Sequence, residues 1–318
     1  MTDHYHTEIV EISDLTERIK QFRLAAKPGI SLPNFAPGSH IRVAMPDGDH
    51  RCYSLIDLPS ENGTPDGYRI AVQVEPDGQG GSKYMHGLAI GDSLGISPPK
   101  NDFPLDDTAP AILIAGGIGV TPMISMATRL LARGQEFEFH YAGRSAGVMA
   151  YIDTLRAAFG ARLALHFDDD PDTALNLAQI VQGIPDQHHL YFCGPPGMLE
   201  ATKFIASAAG LSSDRIHFEV FATPKAQEGD QPFEVELSST GQVFTIPPGK
   251  TIVEVLDEAG IDIMFDCQRG DCGICQTDVI SGTPDHRDVI LSDDERASGE
   301  VMQICVSRAK SPRLVLDI

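Results

Sequence analysis

The sequence predicts a multidomain chain: an antiparallel β-barrel, then an α/β domain with a parallel sheet, then a small α+β domain. Three observations predict it. Over the first hundred residues, short alternating runs such as HTEIVEI, HIRVAM and YRIAVQV are broken by Gly, Pro and Asp, as in a barrel or sandwich. Further on, fully apolar runs alternate with helical patterns, which implies a parallel sheet with crossover helices. After the polar stretch ATPKAQEGDQP, two hairpin-like strands precede an amphipathic helix and a cysteine-rich loop. The expected boundaries are 1–103, 104–223, a linker at 224–232, and 233–318.

The charge restricts the partners. Lys and Arg number 24 against 45 Asp and Glu, a net charge of −21. That argues against nucleic acid and against an anionic membrane surface, both of which recruit cations, and it permits an electropositive protein partner. Keeping the protein soluble is the plainer use of the same charge. No apolar stretch is long enough to span a bilayer, and the N-terminal MTDHYHTEIVEI lacks a signal-peptide pattern. Two cysteines, Cys52 and Cys193, stand outside the cysteine-rich region. They are too few for a disulfide framework, so a reducing, cytoplasmic setting is expected.

In the first domain, Arg51-Cys52-Tyr53-Ser54 lies in a strand, and Gly80-Gly81-Ser82 precedes the helix-like KYMHGL. A glycine pair before a helix offers backbone N–H groups to a phosphate, and an Arg can grip the same phosphate bidentately. A Tyr can cover a flat ring, and a Ser hydroxyl can hydrogen-bond a ring heteroatom. Taken alone, R-x-Y-S also reads as an ordinary strand.

In the second domain AILIAGG is a buried strand, and GVTPMISMATRLLARG is the helix after it. EFEFHYAGRS, RLALHFDDD, HHLYFCGPPGM and RIHFEVF supply further strands. Ligands of such sheets bind at the carboxyl ends of the strands. Two glycine turns fall there: Gly116-Gly117-Ile118-Gly119, followed by Val120-Thr121-Pro122, and Cys193-Gly194-Pro195-Pro196-Gly197. The first is a fair pyrophosphate cradle but not a G-x-G-x-x-G. Cys193 also reads as a small buried residue at a strand end.

In the last domain Cys267, Cys272 and Cys275 follow C-x4-C-x2-C, and Cys305 comes later. This is the spacing of a plant-type [2Fe–2S] ferredoxin, in which four thiolates hold two irons. A zinc knuckle places its cysteines in C-x2-4-C pairs, which this set does not match. Gly270 and Gly273 allow the backbone to wrap tightly and aim N–H groups at the cluster. Residues 233–318 hold 7 Lys and Arg against 16 Asp and Glu, so the acidity is denser here than elsewhere. Steering toward a basic partner would use that charge, and a solvated acidic face would produce it equally well.

RCYS, GGS, GGIGVTP, CGPPGM, EVF and the cysteine set occur in the order that resembles phthalate dioxygenase reductase and its relatives, the reductases of two-component Rieske oxygenases within the ferredoxin–NADP reductase superfamily. The resemblance covers essentially the whole chain. It implies a flavin-binding β-barrel, an NADH-binding α/β domain and a plant-type ferredoxin (β-grasp) domain. Arg51 resembles the flavin-phosphate arginine. Cys52 lies inside the motif, Tyr53 matches the residue on the isoalloxazine, and Ser54 the hydroxyl near flavin N5. Gly80, Gly81 and Ser82 resemble the phosphate turn. Gly116, Gly117, Gly119, Thr121 and Pro122 resemble the pyridine-nucleotide turn, and Cys193, Gly194 and Pro195 the wall beside the nicotinamide. Glu219 and Phe221 match the E-x-aromatic that ends the reductase module. Arg144, Ser145 and Asp168 fall where the adenosine ribose is expected. Gln73 and Gln79 stand where relatives carry basic residues.

The function this implies is a relay from NADH through FMN and a [2Fe–2S] cluster to a Rieske-type terminal oxygenase. A flavin takes electrons in pairs and gives them singly, which is what a hydride donor and a one-electron cluster need between them. Two alternatives are an electron donor to a haem monooxygenase and a ferredoxin-like carrier with a non-catalytic barrel.

Overall fold

The computed structural model describes residues 5–46, 48–58, 67–76, 78, 80–221, 227 and 229–318. The chain divides into two compact units, Met1–Glu219 and Val220–Ile318.

The first unit opens with strands β1 (Tyr5–Thr16), β2 (Ile19–Ala26), β3 (His40–Ala44), β4 (His50–Ser54), β5 (Tyr68–Gln73) and β6 (Ser93–Ile96), and one short helix, α1 (Gly81–His86). They form one six-stranded antiparallel sheet in the order β4-β3-β6-β1-β2-β5. Its inward side chains, Ile9, Phe22, Leu24, Ile41, Val43, Ile70 and Ile96 among them, are wholly buried. Alternation along each strand puts them on one face. Among the described residues β4, which carries R-x-Y-S, stands at the end of the strand order and pairs with β3.

The same unit continues as β7 (Ala111–Gly116), α2 (Val120–Arg133), β8 (Phe137–Gly143), α3 (Ile152–Phe159), β9 (Leu163–Phe167), α4 (Leu177–Gln182), β10 (His189–Cys193), α5 (Pro196–Ala208) and β11 (Ile216–Glu219). All neighbouring pairs are parallel, in the order β11-β10-β7-β8-β9. The central strand β7 is buried at every position, which explains its unbroken apolar run. The order reverses between β7 and β10, and ligands of open α/β sheets sit at the carboxyl ends of strands flanking such a reversal.

Polar bonds stitch the two halves of this unit. Ser125 on α2 donates its hydroxyl to the Leu55 carbonyl at 2.8 Å and accepts from the Asp57 N–H at 2.9 Å. The Tyr151 hydroxyl donates to Gln21 Oε1 at 2.9 Å. The segment leaving β4 is therefore fixed to the helix that starts at the first glycine turn.

The second unit holds β12 (Phe233–Leu237), β13 (Val243–Ile246), α6 (Ile252–Glu258), β14 (Gln276–Ser281), β15 (Pro284–Asp285), α7 (Asp293–Ser298), β16 (Val301–Gln303), β17 (Arg308–Ala309) and β18 (Arg313–Leu316). The main sheet runs β13-β12-β18-β14-β16, with β12 antiparallel to β13 and parallel to β18. The amphipathic α6 packs Ile252, Val253 and Leu256 into its core, and Thr251 and Glu254 close a reciprocal cap at its start. No helix among the described residues is long and apolar enough to cross a membrane.

Candidate functional site

Three constellations carry chemistry. The first joins β4 to the start of α1. A Cβ placed on Gly81 would lie 2.7 Å from Arg51 Cγ and 3.0 Å from its Nε. The arginine stem therefore lies directly across the helix start, which only a glycine permits. Gly80, at φ 93°, turns the chain into the helix. Ser82 Oγ accepts from the Glu75 N–H at 3.0 Å and keeps its own proton to donate. The guanidinium also bonds the Asp49 carboxylate and the His50 carbonyl. Burial pushes the Asp49 carboxyl up, but the Arg51 hydrogen bond, the His50 backbone N–H and the charge of Arg51 together outweigh it and hold the group below its usual range. A phosphate at this turn would share or displace Asp49.

Along β4, Tyr53 is half-buried, and burial pushes its hydroxyl well above the ordinary range. Ser54 is buried, and its Oγ has no hydrogen-bond partner among the described residues. Leaving a buried hydroxyl unsatisfied costs about 1–3 kcal/mol, so the position fits a missing ring acceptor.

The second constellation is the crevice between β7 and β10. A Cβ on Gly116 would sit 2.6 Å from Pro195 Cδ and 3.3 Å from Gly194 Cα, and one on Gly119 would sit 2.2 Å from the Cys193 carbonyl oxygen. The two glycine turns thus lie against each other, backbone to backbone, with no room for a side chain. Cys193 is buried and in register with Ala115 on one side and Glu219 on the other. Glu219 is buried at the end of β11, and Phe221, two residues on, is exposed. Thr121 donates its hydroxyl to the Ile118 carbonyl at 3.1 Å, closing the turn, and Pro122 lies in the first turn of α2. Farther along the same sheet edge, Arg144 and Ser145 follow β8 and Asp168 follows β9.

The third constellation is the cysteine loop. Cys267, Cys275 and Cys305 are buried, and Cys272 is half-buried. Cys267 interacts electrostatically with Cys272 and Cys305, and Cys305 with Cys275. The neighbouring Cys272 and Cys305 thiols hold Cys267 below the usual thiol range, and both are themselves pushed up. The Arg269 N–H also points at Cys267 Sγ at 3.3 Å. Gly270, at φ 78°, has no room for a Cβ, which would lie 2.7 Å from Val306 Cγ2 and 2.9 Å from Asp288 Cα. Four soft thiols with a backbone donor fit iron–sulfur ligation. Among the described residues no three Cys, His, Asp or Glu side chains gather as one metal ion needs. Two irons with two thiolates each require a wider spread of sulfurs than a single ion.

Known proteins match along the whole chain. An oxidoreductase NAD-binding domain matches residues 113–203, and a 2Fe-2S iron–sulfur cluster binding domain matches 235–310. The vanillate O-demethylase oxidoreductase of Pseudomonas putida is 42% identical over 98% of this chain and 98% of its own length. The solved phthalate dioxygenase reductase, described as a modular structure for electron transfer from pyridine nucleotides to [2Fe–2S], superposes with a TM-score of 0.76 at 36% identity, over 99% of this chain and 98% of that one. The chain belongs to the phthalate dioxygenase reductase family. An intact type IV self-sufficient cytochrome P450 monooxygenase also aligns, with a TM-score of 0.74 at 32% identity, over 99% of this chain and 41% of that one. Membership in this family makes the protein an NAD-dependent oxidoreductase with a [2Fe–2S] domain.

The fold of this reductase brings together Arg51 with Gly80–Ser82, and Gly116–Gly119 with Cys193–Pro195. Gln79 lies outside the described residues. Gln73 donates its amide to Glu75 at 2.6 Å, and the Glu75 N–H bonds Ser82, so an acid stands near the phosphate turn. Three residues escaped sequence reasoning. Asp49 engages Arg51, and its position two residues upstream was the signal. Gln303, wholly buried, lies 3.5 Å from Cys275 Sγ and donates to Gln276 Oε1 at 3.0 Å. Asp271, inside the cysteine loop, pairs with buried Arg269 at 3.5 Å and accepts from the Val220 N–H at 3.3 Å. Burial pushes the Asp271 carboxyl up to about 7.

Proposed function

We propose that this chain takes electrons from NADH onto FMN and passes them singly through its [2Fe–2S] cluster to a terminal oxygenase of the Rieske type. The carrying observation is that one chain holds both a glycine crevice at a sheet reversal and four mutually interacting, mostly buried cysteines, three of them in one loop. The first suits a pyridine nucleotide, the second a one-electron centre.

A flavin bound against β4 supplies the exchange between paired and single electrons. Arg51 and the N–H groups at Gly80, Gly81 and Ser82 grip its phosphate. Tyr53 covers the ring, with Cys52 beside it, and the Ser54 hydroxyl donates to a ring nitrogen. Gly116, Gly117, Gly119, Thr121 and Pro122 form one wall of the nucleotide crevice, and Gly194 and Pro195 the other. Cys193 and Glu219 stand beside the nicotinamide, and Phe221 is the stacking aromatic. Arg144, Ser145 and Asp168 meet the adenosine ribose. Cys267, Cys272, Cys275 and Cys305 ligate the two irons.

The name of the P. putida relative and that of the phthalate reductase support an oxygenase partner, and the P450 likeness keeps a haem partner as the competing outcome. Purified protein should contain about one flavin per two irons. Anaerobic NADH should bleach the flavin and generate the paramagnetic signal of a reduced [2Fe–2S] cluster. Iron without flavin would leave a carrier with a non-catalytic barrel. Electron delivery to a haem monooxygenase but to no Rieske oxygenase would replace the partner.

A further inference from the structure

The second unit carries a surface that the relay does not yet use. Large apolar side chains are exposed around the cysteine loop: Met264 at 80%, Ile274 at 42% and Ile290 at 40%. Single exposed apolar residues are ordinary, but two of these adjoin. A Cβ on Gly273 would meet Ile290 Cδ1 at 3.3 Å, so Ile290 packs beside the backbone that presents Ile274. Cys272, two residues before Ile274, is the least buried of the four cysteines. Electron exchange weakens steeply with distance, so an acceptor gains most by approaching here.

The charge around this patch has one sign. Between residues 262 and 300 there are 10 acidic residues and 3 arginines. Every one of those arginines is committed within the unit: Arg269 to Asp271, Arg287 to Asp230 and Asp285, and Arg296 to Asp288. Asp293 and Asp294, in the first turn of α7 and three and four residues past Ile290, are exposed. Asp262 is exposed two residues before Met264. A second copy of this chain, itself at −21, is repelled from such a face.

We infer that Ile274 and Ile290, rimmed by Asp293 and Asp294, form the docking face for the electron acceptor, and that the acceptor presents a basic rim around an apolar contact over its own redox centre. The inference rests on the relay reading above. Apolar contact at the centre excludes water, while the acidic rim speeds and orients encounter; small transient redox interfaces work this way.

The test uses the full-length holoprotein and cytochrome c, a lysine-rimmed one-electron acceptor, with ferricyanide as the small acceptor. NADH-driven cytochrome c reduction by the wild type should weaken as salt is raised. Asp293→Asn with Asp294→Asn should raise the KM for cytochrome c about fivefold to tenfold and flatten its salt dependence, since steering scales with the charge at the rim. Ile290→Ser should raise the KM while leaving the salt dependence in place. Both variants should keep the wild-type cluster spectrum and the NADH–ferricyanide rate. Unchanged KM and salt dependence in both variants, with active wild type, would overturn the docking face alone. A wild type that reduces ferricyanide but never cytochrome c would overturn the face together with the relay.

Discussion

The backbone N–H of Asp169 donates to the carbonyl of Arg144 at 3.1 Å, and Asp168 does the same to Gly143 at 3.0 Å. The acidic loop after β9 is therefore laid alongside the loop after β8, at one edge of the nucleotide sheet. An arginine there could pair with a 2′-phosphate, but the neighbouring carboxylates repel a dianion while accepting a hydrogen bond from a free 2′-hydroxyl. NADH should be preferred to NADPH. Replacing Asp168, Asp169 and Asp170 together by Ala should raise the relative kcat/KM for NADPH about tenfold, the equivalent of about 1.4 kcal/mol. Measuring kcat/KM for both nucleotides on one preparation decides it. A wild-type preference for NADPH would make Arg144 the determinant, and an unmoved ratio in the variant would clear the aspartates.

Cys272→Ala or Cys305→Ala should abolish the cluster while NADH-driven dye reduction through the flavin survives. The cysteines lie in the unit Val220–Ile318, and both R-x-Y-S and the glycine crevice in Met1–Glu219. Iron content, the reduced-cluster signal and dye reduction are measured side by side. Folded variants that lose flavin reduction as well would show that the two units do not act independently.

Arg51→Ala should weaken flavin retention by about 1.5–3 kcal/mol, the usual worth of a hydrogen bond to a charged group. Asp49 makes the opposite prediction: Asp49→Asn, by releasing the guanidinium, should hold flavin more tightly. Equilibrium dialysis with FMN measures both. The released flavin should be FMN by mass, and FAD as the main species would defeat that assignment.

Local pattern carried part of this far and no further. The cysteine spacing, the β7 run and both glycine turns announce themselves within a few residues, because ligand geometry, burial on two faces and tight turning each restrict neighbouring positions. The closeness of Gly119 to Cys193, or of Gly81 to Arg51, joins residues 74 and 30 apart in the chain, and only the sheet order makes it visible. Asp49 was missed because its partner was assigned to a phosphate. Asp271 and Gln303 were missed because their role depends on neighbours that no spacing specifies. In β1, bulges between Ile9 and Glu11 and between Asp14 and Thr16 shift the register, so simple alternation does not give its pairing.

In the first unit His166 Nδ1 lies 3.0 Å from the Thr173 carbonyl, a partner to which it can only donate. Its Nε2 must then accept, and it takes the proton of His140 Nδ1 at 3.1 Å. His140 Nε2 is left without a proton, 3.3 Å from Glu138 Oε2. A proton added there would make that contact a hydrogen bond, but burial lowers the His140 pKa more than exposed Glu138 raises it, and burial lowers His166 too. The folded state therefore resists protonation at this pair. A histidine whose pKa is depressed by folding contributes stability that is fully present above its unfolded value, about 6.5, and is lost as pH falls through and below it. The temperature at which the first unit unfolds, followed by flavin release, should fall between pH 7.5 and pH 5.5. His140→Gln should flatten that fall, because the neutral amide has no proton to take up. Glu138→Gln should steepen it, because the carboxylate that favours the imidazolium is gone. A wild-type midpoint that stays level across this range, or a Glu138→Gln profile shallower than wild type, would show that burial does not dominate at His140.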